Sequence, residues 1–108
     1  MAKYLVLWRR SPATWPTDPA EKSKIIQKIG TTIVDDNIKK GNIKEHGHFL
    51  DGNSGYTIWE VEATELFKNS CMTWPYYEYE VHEIIQYEKS GKILRETVLK
   101  ILTEATKK

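Results

Sequence analysis

The sequence predicts an α+β domain, because a strand–helix–strand pattern occurs twice along the chain. The first strand, residues 3–9, leads through a long helix to the second strand at residues 43–50. The third strand, residues 56–62, leads through a short helix to the fourth strand at residues 78–87. This βαββαβ order predicts one antiparallel sheet with the strand order 4-1-3-2 and both helices on one face.

The first helix has clear start and stop signals. Asp18 can cap the helix, Pro19 suits its first position, and Glu21 completes a capping box three residues after the cap. A stripe of isoleucines then recurs at helical spacing: Ile25, Ile26, Ile29 and Ile33. The cations and glycine of residues 39–41 predict the helix end.

A third helix is predicted at about residues 90–105, outside the βαββαβ unit. Its apolar residues form a narrow stripe: Leu94, Val98, Ile101, Leu102 and Ala105. This stripe must be buried on the same subunit or on a neighbour. We therefore predict one domain over residues 1–108, with its core at about residues 3–87.

The composition is that of a globular chain rather than a disordered one, with 40% hydrophobic and 29% charged residues. The formal net charge of +1 gives no argument for nucleic acid or an anionic membrane. Cys71 is the single cysteine, which excludes an internal disulfide, and we expect it to be buried near the end of the second helix. No apolar run suits a signal peptide or a membrane helix, so we expect a cytoplasmic protein.

Three segments carry a resemblance to a known superfamily. Residues 41–49, 51–60 and 80–85 resemble the strand and turn pattern of the dimeric α/β-barrel superfamily, which includes muconolactone isomerase-like proteins. The resemblance covers about residues 3–87 and implies a ferredoxin-like subunit. It also implies a homodimer formed through the sheet, with a pocket between sheet and helices. The superfamily includes enzymes and ligand-sensing modules, and no catalytic motif carries over to a numbered position of this chain.

Alternation along the strands predicts which side chains share a face of the sheet. We expect the aliphatic pair Leu5 and Leu7 to meet the helices. The other face then carries Tyr4, Val6, Trp8, Tyr56, Ile58 and Glu60. Four of these are the candidate ligand-binding residues: Tyr4, Trp8, Tyr56 and Ile58. Four aromatic residues in predicted loops are candidates for the pocket mouth, for a dimer contact or for loop packing: Trp15, Trp74, Tyr76 and Tyr77.

His46, His48 and Glu60 are the candidate catalytic residues. The two histidines project to one side of strand two, about 7 Å apart, and could act as general acid and base or as metal ligands. Without a third ligand nearby, they are more consistent with edge-strand histidines half in solvent. Glu60 would suit proton transfer in an enclosed pocket, but an exposed or ion-paired carboxylate is the simpler interpretation. No motif predicts a metal or cofactor.

Enzymatic activity is therefore left open by the sequence. We expect a homodimer that binds or transforms a small apolar or aromatic molecule, with a candidate catalytic residue moving a proton. The alternative is a non-enzymatic ligand-sensing or assembly module. RNA binding through the sheet comes third: Gly55 and Tyr56 match the strand-three RNA motif, but Ser54 replaces its basic residue and Glu60 would repel phosphate.

Overall fold

The computed structural model describes residues 1–106 and contains, within them, one four-stranded sheet and three long helices. Its strands are β1 (Lys3–Arg10), β2 (Ile43–His48), β3 (Ser54–Glu60) and β4 (Tyr77–Ile84). The predicted α+β class is confirmed. Lys107 and Lys108, which belong to the predicted 1–108 domain, lie outside the described residues.

The helices α1 and α3 each contain a π-helical stretch. Helix α1 runs through Pro19–Ile29, Gly30–Asp35 and Asp36–Lys39, where the middle segment is π-helical. Helix α2 is Ala63–Thr73. Helix α3 runs through Tyr87–Leu94, a π-helical Arg95–Leu99 and Lys100–Ala105.

The strand order is β2-β3-β1-β4, which is 4-1-3-2 when read from the other edge, and each neighbouring pair is antiparallel. Strand β1 lies between β3 and β4, and its continuous apolar run is typical of a central strand. The prediction that strand four extends to residue 87 is wrong. Ile84 pairs with Lys3 at the start of β1, so the residues after it have no partner strand, and α3 begins at Tyr87.

The predicted start of α1 is confirmed by its cap. The Asp18 carboxylate accepts a hydrogen bond from the backbone N–H of Glu21 at 3.1 Å, and Pro19 occupies the first turn. Near its other end the buried Asn37 donates to Asn69 Oδ1 of α2 at 3.0 Å. This amide pair joins the two helices on one side of the sheet.

The hydrophobic core lies between the sheet and both helices, and it consists of Val6, Ile33, Ile43, Trp59, Val61 and Leu66. Because the core takes residues from α1, α2 and one face of the sheet, both helices cover the same face. The isoleucine stripe of α1 is only partly buried there: Ile33 is buried, whereas Ile26 is 43% exposed.

The predicted assignment of the β1 side chains to the two sheet faces is wrong, whereas that of β3 is correct. Tyr4 pairs with Trp59 across β1 and β3, so Tyr4, Val6 and Trp8 face the helices. Leu5 pairs with Ile58, which places the two leucines on the face without helices, hereafter the open face. The space beneath the helices is filled by the larger side chains, since Trp8 and Trp59 bury more apolar area than leucines do.

The same register places three predicted site residues on the open face, away from the helices as predicted, but separates them from Trp8. Tyr56, Ile58 and Glu60 alternate with the helix-facing Thr57 and Trp59, and they pair with residues of β1 that point away from the helices. The prediction that they share a pocket with Trp8 is therefore wrong, because two residues directly opposite each other in an antiparallel pair lie on one face.

The structure also bears on two predictions outside the sheet, the burial of Cys71 and the burial of the apolar stripe of α3. Cys71 is exposed on α2 rather than buried. The apolar stripe of α3 is not buried on its own subunit, because the helix extends away from the sheet and Gly91 alone is buried in it. Within residues 1–106, no helix combines the length and apolarity needed to cross a membrane.

Candidate functional site: a cavity between the sheet and helix α1

A cavity of about 360 Å³ lies between the helix-facing side of the sheet and α1. Its α1 side is aliphatic and includes Ile26, Ile29, Ile33 and Val34. Its sheet side is aromatic and includes Trp8, His46, His48, Trp59, Tyr77 and Tyr79. The volume lies within the range of small-molecule sites, roughly 300–1,000 Å³.

Trp8 forms the centre of the aromatic wall. Its indole stacks on His46, with centroids 5.7 Å apart and an angle of 11° between the rings. His48 and Tyr77 meet the same indole edge-on at 5.3 and 5.8 Å. Trp8 is only 8% exposed, so these rings hold it in one position.

Glycine at position 55 makes room for this arrangement. Gly55 pairs with Trp8 on one side and His48 on the other, so all three lie on the helix-facing side of the sheet. A Cβ atom at Gly55 would lie 2.4 Å from Cζ2 of Trp8. The absent side chain is therefore what allows the indole to approach β3 closely.

His46 is half-buried and neutral at neutral pH. Its Nδ1 lies 2.8 Å from the Oγ1 atom of Thr57, a buried neighbour on β3. Burial lowers the pKa of His46 below its usual 6.5, and the nearby His48 lowers it further, while the Asp35 carboxylate acts in the opposite direction. A neutral imidazole in this position can accept a proton.

Two residues that line the cavity, Trp8 and Arg10, each have a buried hydrogen-bond donor with no partner among the described residues. The donors are the indole Nε1 of Trp8 and the Nε of Arg10. The Arg10 guanidinium is held by Nη1, which donates to the carbonyl oxygen of Gly52 at 2.8 Å. An unsatisfied buried donor costs about 1–3 kcal/mol, so each of the two N–H groups favours an acceptor that reaches it.

Tyr79 contributes a buried hydroxyl to the cavity wall. A hydrogen bond joins it to the hydroxyl of Thr73, at the end of α2. Burial raises the pKa of Tyr79 to about 12, and the Thr73 hydrogen bond only partly offsets this rise. Tyr79 is therefore a neutral hydroxyl that fixes one wall rather than a titrating group.

The structure brings together three of the predicted site residues: Trp8, His46 and His48 line the cavity. Tyr4 faces the same side but packs against the hydrophobic core. Glu60 lies on the open face with its Oε2 atom 4.0 Å from Lys44 Nζ, which is the ion-paired arrangement that the sequence favoured. Within residues 1–106, no three His, Cys, Asp or Glu side chains converge in a way that could hold a metal ion.

Sequence reasoning missed Arg10, Thr57 and Tyr79 as cavity residues. Thr57 and Tyr79 share the alternation of Trp59 and Tyr77, so the correct choice of sheet face would have found both. Arg10 follows Arg9 at the end of a strand, and nothing in its sequence context distinguishes the two. Tyr77, a candidate for the pocket mouth, does line the cavity, and Trp15 packs edge-on against it at 5.7 Å.

A scan of the chain against protein-family models finds no match, and a search of curated proteins finds none either. The resemblance to the dimeric α/β-barrel superfamily therefore stays a prediction.

Proposed function

We propose that this protein binds a small aromatic molecule carrying an acceptor oxygen, in the cavity between its sheet and α1. The observation that supports this most directly is the pairing of an aromatic wall with two buried, unpartnered N–H donors, Trp8 Nε1 and Arg10 Nε. The aromatic rings would stack on the ligand, and the donors would orient its oxygen. A carboxylate or a ketone has the required acceptor.

We further propose that His46 moves a proton of the bound molecule. Its neutral ring is the proton acceptor, and negative charge that develops on the ligand oxygen is stabilised by the donors of Trp8 and Arg10. The reaction class is proton abstraction at a carbon next to a carbonyl. His48 is exposed beside His46, with ring centroids 5.5 Å apart, and can pass the proton to solvent.

Ligand binding without chemistry is the second candidate. It is favoured by the position of Glu60, which lies on the open face and so removes one of the three predicted proton-transfer groups from the cavity. A cavity of this kind can sense a ligand with stacking and hydrogen bonding alone.

The assembly that we propose is a homodimer of ferredoxin-like subunits that meet through the open face, as in a dimeric α/β barrel. The four half-buried residues at the centre of this face are Leu5, Leu7, Tyr56 and Ile58. A second copy that covered them would remove this apolar surface from water.

Binding of 2-naphthoate, measured by isothermal titration calorimetry against naphthalene, tests the ligand class. We expect saturable binding of 2-naphthoate, weakened about 10-fold by Trp8→Phe, because phenylalanine keeps the ring but removes the N–H. Naphthalene has no acceptor, so its weaker binding should change little in this variant. Trp74→Phe is the matched control, since Trp74 is 77% exposed. Equal effects of the two substitutions would contradict the proposal.

Deuterium exchange into 2-tetralone separates the enzyme from the binder. This aromatic ketone carries acidic hydrogens next to its carbonyl, and NMR in D₂O follows their replacement. We expect the wild-type protein to accelerate exchange and His46→Gln to abolish the acceleration while it preserves 2-naphthoate binding. Binding with no acceleration by the wild-type protein would leave ligand sensing as the function.

A further inference from the structure

Helix α3 exposes a continuous apolar surface that no other part of the described chain covers. Six of its aliphatic side chains are between 41% and 62% exposed: Ile93, Leu94, Val98, Leu99, Ile101 and Leu102. The charged residues Lys92 and Glu96 lie across from Leu94, with Lys92 Nζ 4.0 Å from Glu96 Oε1. The helix is thus amphipathic, yet its apolar side faces solvent.

The exposed area of the subunit is larger than a folded monomer of this size should have. It amounts to 8048 Å², whereas a 12.6 kDa monomer is expected to expose about 6,200 Å². The excess, about 1,800 Å², is more than twice the roughly 800 Å² that each partner buries in a standard stable interface.

The shape of the molecule shows where this excess lies. The longest dimension is 69 Å and the other two are 29 and 23 Å. The radius of gyration is 18.9 Å, against about 13 Å for a compact chain of this length. Helix α3 is about 28 Å long, so its projection from the sheet accounts for the elongation.

We infer that α3 is a dimerisation arm whose apolar side packs against α3 of a second copy of this chain. In a two-fold symmetric dimer, both copies contribute the same apolar stripe to the contact, so the two packed surfaces match in length. The open face of the sheet is a poorer partner for α3, because the charged residues Lys3, Arg9 and Glu60 border its small apolar centre. An anionic membrane is disfavoured, because acidic and basic residues of α3 nearly balance: Glu88, Glu96 and Glu104 against Lys89, Lys92, Arg95 and Lys100.

This inference requires a second copy but not the cavity or its ligand. It is separate from the proposed contact through the open face, because α3 and that face are different surfaces. The two contacts can therefore be tested side by side in the full-length protein.

Sedimentation velocity over a range of protein concentrations tests the arm. We expect wild-type protein to dimerise, and Leu94→Glu and Leu102→Glu to weaken dimerisation about 100-fold or more, since each change places two charges in the symmetric contact. Lys92→Glu puts the same residue on the polar side of α3 and should leave the dimer intact. Circular dichroism checks that every variant is folded, which we expect for the leucine variants because both leucines are more than half exposed.

A parallel variant, Ile58→Glu, reports on the open face. Loss of the dimer in the leucine variants but not in Ile58→Glu would support the arm and contradict the sheet contact. Loss in both would mean that one dimer needs both surfaces, which supports the arm. Leucine variants that still dimerise in the Ile58→Glu background, or a wild-type protein that stays monomeric at all concentrations, would overturn the inference.

Discussion

Gly55 shows how one residue without a side chain can shape the cavity. It lies in β3 between Trp8 and His48, the two residues that it pairs with. A Cβ atom here would be 2.1 Å from the backbone oxygen of Gly47 and 2.4 Å from the Trp8 ring. Neither neighbour can yield without a change in the sheet or in the stacked aromatic wall, so the position requires glycine.

We expect Gly55→Ala to destabilise the fold by about 1–3 kcal/mol, the usual cost of overpacking, and to weaken 2-naphthoate binding because Trp8 must move. Urea denaturation and calorimetry measure the two effects. Gly30→Ala is the control for stability alone, because nothing lies within 4 Å of a Cβ atom there and the backbone is helical, although Gly30 lines the cavity. Its stability should stay equal or rise by about 0.5–1 kcal/mol. Equal stability in both variants would show that the fold can accommodate a Cβ atom at position 55, and would contradict this prediction.

The candidate site shows the limit of sequence reasoning at this scale. His46, His48 and Trp8 were all predicted as site residues and line the cavity. The other predicted site residues do not line it: Tyr4, Tyr56, Ile58 and Glu60. Both faces of β1 are apolar, so alternation separates its side chains into two sets without saying which set meets the helices. That choice depends on which set fills the space under α1, which is a property of the packed structure.

The positions of helices and strands were easier to predict than the faces of the sheet, because capping and strand signals lie within a few residues. The cap at Asp18 and the strand at β3 follow from chemistry within a few residues, and both appear in the structure within two residues of their predicted bounds. The end of β4 was missed because strand pairing sets it: β1 begins at Lys3, and Ile84 is the last residue of β4 with a partner. The π-helical stretches in α1 and α3 had no signal in the apolar periodicity.

Helix α3 illustrates the same division. Its apolar stripe was predicted from spacing alone, and the sequence left two possible locations for the surface that buries it. The structure excludes the sheet side of its own subunit, since α3 projects into solvent. The remaining location for the apolar stripe is another molecule. The sequence alone could not choose between the two locations, because the choice depends on how α3 is oriented relative to the sheet.

At the scale of the whole molecule, the two faces of the sheet differ in what covers them. One face is covered by α1 and α2 and lines the cavity, and the other carries Leu5, Ile58 and the ion pair of Lys44 with Glu60. The cavity has one half-buried histidine with a lowered pKa. Its titration should therefore be visible in the stability of the whole fold.

We expect stability to fall as the pH drops from about 7 through 6.5. The unfolded chain protonates His46 near its usual value of 6.5, whereas the folded protein resists protonation because burial lowers the pKa of this residue. Between the two pKa values the unfolded state binds more protons, so acid favours unfolding. One such proton gives a slope of at most about 1.4 kcal/mol per pH unit, and solvent at half-buried His46 keeps the effect below that bound.

Urea denaturation at fixed protein concentration, repeated at several pH values, measures this slope. His46→Gln should flatten it, because glutamine does not titrate. His82→Gln is the control, since His82 is exposed on β4 with its Nε2 atom 2.9 Å from Glu80 Oε2 and does not line the cavity. A slope unchanged by His46→Gln would mean that the ring is as accessible to protons when folded as when unfolded. The lowered pKa of His46 would then be contradicted.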